Sequence, residues 1–133
     1  MRQSRFSLLG ALVLLVPLAF AAAFGWRATV EQWTMLLVVL GGLLTVLAGR
    51  VAAVELGNRR VSWRHLLASA YVLFAVSLPV QQAHWTGSGS MEGYVSLGAA
   101  VVTACCLLWF AVEIARDGRH LEVTSNVDRV LAV

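Results

Sequence analysis

Arg50, Glu55, Glu113 and Arg116 are the residues of this chain whose types could do chemistry in an apolar setting. Charged groups within or beside a membrane span are costly to desolvate, and near the midplane they mark ion pathways or proton relays. Counted along helices, Arg50 falls about 25 Å from Trp33 and Glu113 about 28 Å from Tyr94, so both approach one edge of the hydrocarbon layer. An arginine at that depth can lift its head to the interface while its stem stays among lipid tails. The spacing points to interfacial anchors, or an ion pair between two spans, ahead of an ion path. His65, His84 and His120 could grip haem only if two imidazoles faced each other inside the hydrocarbon, and all three fall at or outside its edges. Cys105 and Cys106 are adjacent, about 100° apart on a helix, and lack C-x-x-C spacing; they read as packing residues. There is no phosphate loop, zinc pattern or nucleophile elbow. The expectation is no enzymatic activity, no metal and no cofactor.

Four apolar stretches must position these residues. They run over 6–25, 33–54, 65–83 and 94–115, with a polar tail over 116–133. A transmembrane helix needs about 20 largely apolar residues. In a chain of 133 residues with 59% hydrophobic and 13% charged content, nothing is left over for a separate soluble domain. The expected fold is a single all-α integral membrane domain, a four-helix bundle of four transmembrane helices. The first stretch has the basic start and small residues of a cleavable signal, yet it is longer than a usual signal core, and a retained helix is expected. The tail is expected to lie along the inner surface or to dock on a partner.

All ten basic residues are arginines, and nine of them fall on one side of these spans: Arg2 and Arg5, then Arg50, Arg59, Arg60 and Arg64, then Arg116, Arg119 and Arg129. Arg27 alone lies on the other side. By the positive-inside rule, both termini and the middle connection face the cytoplasm of a cell or inner membrane. A net charge of +3 would suggest nucleic acid in a soluble protein, but here the basic residues set orientation, and no nucleic acid is expected. Trp26, Trp33, Trp85 and Tyr94 fall together at the outer interface, with Trp63 at the inner one.

The halves of the chain correspond. A shift of 59 residues pairs Arg5 with Arg64, Leu8 with Leu67, and Trp26 with Trp85; further on, Glu31 and Trp33 face Glu92 and Tyr94, and Ala53-Val54-Glu55-Leu56 faces Ala111-Val112-Glu113-Ile114. Two tandem two-helix repeats are expected, related by an axis along the membrane normal. In the first half, Pro17 is followed by Trp33-Thr34-Met35 and then by Val46-Leu47-Ala48-Gly49. That order resembles the two-helix module of SPW-repeat membrane proteins, with Val16-Pro17-Leu18 and Leu78-Pro79-Val80 where the Ser-Pro-Trp signature would stand. The resemblance implies a membrane-embedded fold and no established activity.

Small residues mark where helices meet, because association inside lipid depends on close backbone approach. Gly41, Thr45 and Gly49 form one shallow stripe, and Ser96, Ala100 and Ala104 form another. Each is expected to serve as internal packing or as a seam with a partner, either another membrane subunit or a second copy. Two functions are compatible with this pattern: a structural or accessory subunit of a membrane complex or homo-oligomer, and an oligomeric small-solute or ion transporter. The latter would need a polar stripe, for which Thr45, Ser69, Ser77 and Thr103 are the candidates. The orientation is tested by labelling single cysteines in intact cells. Reagent added outside should reach positions 28 and 88 and spare positions 59 and 119; external labelling of position 59 would reverse the topology.

Overall fold

The computed structural model describes residues 3–56, 59–85, 90–116 and 130–132. Four helices are long and apolar enough to cross a membrane: α1 (Arg5–Phe24), α3 (Trp33–Arg50), α4 (Trp63–Trp85) and α5 (Met91–Ala115). A short helix, α2 (Trp26–Glu31), joins the first two. Over their apolar windows the mean hydropathy runs from 1.5 to 2.4, and lengths of 18 to 25 residues give about 27 to 37 Å. Leu, Val and Ala occupy every face of these helices, so no polar side is available to meet water, as expected of spans in lipid.

The ends differ from the expected 6–25, 33–54, 65–83 and 94–115. Gly25 leaves the helix at φ +89°, a conformation that costs glycine little, and turns the chain into α2. α3 stops at Arg50, because Val51 is extended at φ −128°, ψ 142°. The fold is mostly helical, as expected, with a small sheet added where α3 ends. Ala53–Leu56 form strand β1, which pairs antiparallel with β2 (Arg59–Ser62), Ala53 opposite Ser62 and Leu56 opposite Arg59. In the sequence Gly57 and Asn58 separate the two strands. Residues 130–132 form β3 and run parallel to β1, giving the order β2-β1-β3. The end of the tail thus docks on the chain itself.

Nor do the helices close into a bundle. α1 packs on α3, α3 on α4, and α4 on α5, and no comparable contact joins α1 to α5. They form an open row over most of their length and converge only at the sheet end, where Phe6 of α1 reaches Trp63 of α4. The proposed repeats diverge here too: Ala53–Leu56 are strand, whereas the matching Ala111–Ile114 are helix within α5.

α1 and α3 approach closely. A Cβ placed on Gly10 would lie 2.7 Å from the Val46 nitrogen and 2.8 Å from the Gly42 carbonyl oxygen, and one on Gly42 would meet Leu14 Cδ2 at 2.8 Å. At the sheet end of the row, Phe6, Ala48, Trp63, Leu67 and Ile114 form the apolar core, with the Phe6 and Trp63 rings stacked at 6.3 Å. Trp63, expected as an interfacial belt residue, is buried in this core.

Gln3 fastens this end. Its buried Nε2 donates to the carbonyls of Ala48 at 2.8 Å and Val51 at 2.9 Å, which the end of α3 leaves without helical partners. Gln3→Leu keeps the volume and strands both acceptors, so it should cost about 1 to 3 kcal/mol. Thermal unfolding in detergent should show the loss, and amide exchange over residues 53–62 should quicken. Unchanged exchange in that hairpin would show that the cap does not hold it.

Candidate functional site

The strand that ends α3 also separates the charged residues singled out from the sequence. Arg50 is exposed on the last turn of α3. Glu55 is carried into β1, exposed, directly opposite Arg60. Opposite charges facing across an antiparallel pair attract modestly. Half-buried Glu113 and exposed Arg116 lie on the last turn of α5 and its cap, and α5 packs on α4 rather than on α3 or the sheet. The four residues are thus spread over α3, β1 and the end of α5. Among the described residues no ion pair joins them; the pair present is Arg27–Glu31 at 3.8 Å, exposed at the opposite end. Arg59, Arg60 and Arg64 complete the basic end, and the Arg64 guanidinium lies 5.4 Å from the centre of the Trp63 ring.

The hydroxyls expected to form a polar stripe are mostly used by their own helices. Thr45 donates to the Gly41 carbonyl at 2.8 Å, Ser77 to Phe74 at 2.9 Å, and Thr103 to Ala99 at 2.9 Å. Such bonds to carbonyls three or four residues back keep a hydroxyl satisfied inside lipid. Ser69 is exposed. No continuous polar path follows from these four.

Both small-residue stripes are filled by the chain. Gly41 faces α4, where an added Cβ would meet Phe74 Cε1 at 2.5 Å. Gly49 faces the backbone of Phe6 and Ser7 on α1. Thr45 between them is fully buried. On α5, Ala104 is buried and Ser96 and Ala100 are half-buried, and Ser96 Oγ donates to Gln82 Oε1 of α4 at 2.9 Å. Gly41, Thr45 and Gly49 therefore seat α3 between α1 and α4, and Ser96, Ala100 and Ala104 lie toward α4. A partner seam on either face is already occupied. Gln82 gave no signal in the sequence beyond being polar near a span end.

His65 opens α4, and its Nδ1 shares a 2.8 Å hydrogen bond with Ser62 Oγ. His120 and the side chain of His84 lie outside the described residues. Cys105 and Cys106 are exposed free thiols on α5. Among the described residues no group of His, Cys, Asp and Glu could hold a metal ion.

Four helices long and apolar enough to cross a membrane, with a small sheet at their arginine-rich end, are the architecture of a polytopic helical membrane protein. The chain belongs to a family of unknown function, DUF7994, which it matches over residues 1–127. No curated protein and no solved structure matches it.

The glycine contacts rank two substitutions. Gly49→Ala sets a methyl against backbone that cannot move aside, whereas Gly41→Ala meets the far edge of a phenylalanine ring that can turn. Overpacking costs about 1 to 3 kcal/mol, and Gly49→Ala should take the upper part of that range. Unfolding titrations in mixed micelles should place Gly49→Ala clearly below Gly41→Ala, both on a monomer. Equal stability of the two variants would contradict the close α1–α3 contact.

Proposed function

We propose that this chain is a structural or accessory subunit, a membrane unit that packs against a larger membrane complex or against copies of itself. The open row carries the reading: beyond the shared core at the sheet end, α1 and α5 each pack along one long helix and present broad apolar faces, with Leu8, Leu12 and Leu15 exposed on α1 and Val102, Trp109 and Phe110 on α5. The small-residue stripes give it no support, since the chain's own helices fill them. A seam with a partner would instead use the edge helices, through larger side chains. Both termini lie on the cytoplasmic side of the cell membrane in this reading. Its support is the arginine bias, with Arg5, Arg50, Arg59, Arg60 and Arg116 at one end of the helices against Arg27 at the other. The duplication belongs to the same reading and rests on the sequence matches, with one proline inside the first long helix of each half, Pro17 and Pro79.

Transport is the competing outcome, and charge removal separates the two. Glu55→Gln and Glu113→Gln preserve shape, and as anchors beside arginines each should cost about 0 to 1 kcal/mol. Reconstituted in liposomes, the parent should carry no ion flux, and both variants should assemble as the parent does. Flux in the parent that disappears in Glu113→Gln, with assembly intact, would replace the subunit reading by an ion carrier.

A further inference from the structure

At the arginine-rich end, α4 and α5 part to leave a groove of about 450 Å³. Ala68, Val72 and Leu73 line it from α4, and Ala111 and Ala115 from α5. The alanines are too short to fill the space between the helices. On α4 the groove runs from His65 to Leu73, about 12 Å along the axis. Its long edge is open to the hydrocarbon layer, since Val72 and Val112 are 41% and 48% exposed. An apolar chain can therefore enter sideways from the bilayer.

The mouth is polar and positive. His65 lines it, with Nδ1 held by Ser62 Oγ at 2.8 Å. When Ser62 donates that bond, Nε2 carries the ring hydrogen and is a donor. Exposed Arg116 follows Ala115, which lines the groove at the end of α5, while the Arg64 guanidinium is engaged at the Trp63 ring. Across this end of the described residues Arg59, Arg60, Arg64 and Arg116 outnumber Glu55 and Glu113; the sequence beyond adds Asp117, Glu122 and Asp128 against Arg119 and Arg129. A basic rim over an apolar slot at the membrane surface suits a ligand with an anionic head and an aliphatic tail.

We propose that the α4–α5 groove is a binding site for an anionic phospholipid, one acyl chain lying along Ala68, Val72 and Ala111 and the phosphate received by His65 on the side of Arg116. This site is independent of whether the chain serves as a subunit or carries ions. It requires only that the four helices sit in a bilayer.

The test is native mass spectrometry of the full chain released from vesicles of equal phosphatidylglycerol and phosphatidylcholine with matched acyl chains. One phosphatidylglycerol should remain per chain, favoured over phosphatidylcholine about tenfold, as expected of a lipid headgroup at the basic membrane surface beside His65 and Arg116. Ser69→Leu, at an exposed position lining the slot, should abolish retention of both lipids, and Ser69→Ala should leave it intact. The double variant His65→Gln with Arg116→Gln should keep a lipid but lose the preference, while Arg27→Gln at the other end should change nothing. If Ser69→Leu does not fold, as judged by circular dichroism and elution profile, the double variant decides the matter alone. Equal retention of both lipids by the parent, or an undiminished preference in the double variant, overturns the proposal.

Discussion

The contact between α1 and α3 is the constraint on which the rest of this structure depends. In lipid, helices gain nothing by hiding apolar surface from one another, so they hold together only where backbones come close or polar groups pair. Here both devices act along one seam. Gly10 and Gly42 bring the two backbones together at mid-span, and Gly49 lies against Phe6 and Ser7 at the end. Just beyond, Gln3 closes the Ala48 carbonyl in the last turn of α3 and the Val51 carbonyl just past it. Because those carbonyls are satisfied by a side chain from the neighbouring element, α3 can stop at Arg50 and release an extended strand where the chain leaves the membrane. The position of β1, and through it of β2 and β3, follows from where α1 sits.

The four spans were legible because apolar runs of about 20 residues have few alternatives. Their ends were less so. Val51 to Val54 are apolar and β-branched or small, and such residues suit a helix in lipid and a half-buried strand equally well, so hydropathy carried the second span four residues too far. A usable signal was present in Gly57-Asn58, set between two four-residue segments that pair. β3 could not be read at all: three residues have no pattern of their own and become a strand only because β1 offers an edge. The small-residue faces were legible as contact surfaces. What covers them was not, since a one-dimensional pattern describes one side of an interface. Arg50, Glu55, Glu113 and Arg116 looked like one group because all fall near the same membrane edge, yet depth places a residue along one axis only. Position around the row decides which of them meet.

An open row divides the molecule unevenly between lipid and protein. α3 and α4 have neighbours on two sides, and they hold the buried polar side chains Thr45 and Ser77, each bonded within its own helix. α1 and α5 expose mostly large apolar residues, among them Trp109 at 69%. Where hydroxyls are internally satisfied, the inner pair is rigid in sequence choice, because replacing a buried small residue perturbs two interfaces at once. The edges tolerate most apolar residues of any size. Substitutions should therefore be accepted far more readily on the outer faces of the first and last spans than on the two between them.

The sheet has a further consequence, for the order in which the chain can be completed. β1 pairs with β2 across two intervening residues, but with β3 across more than half the chain, after two further spans have been made. During synthesis the hairpin can close as soon as Ser62 has emerged, while the other edge of β1 stays bare until residues 130–132 arrive. An unpaired strand edge is a template for any extended segment nearby. For that interval the nascent protein presents one open edge at the membrane surface, and residues 130–132 must compete for it when they arrive. The final strand thus acts as a latch, set only when both halves of the chain are already in the membrane.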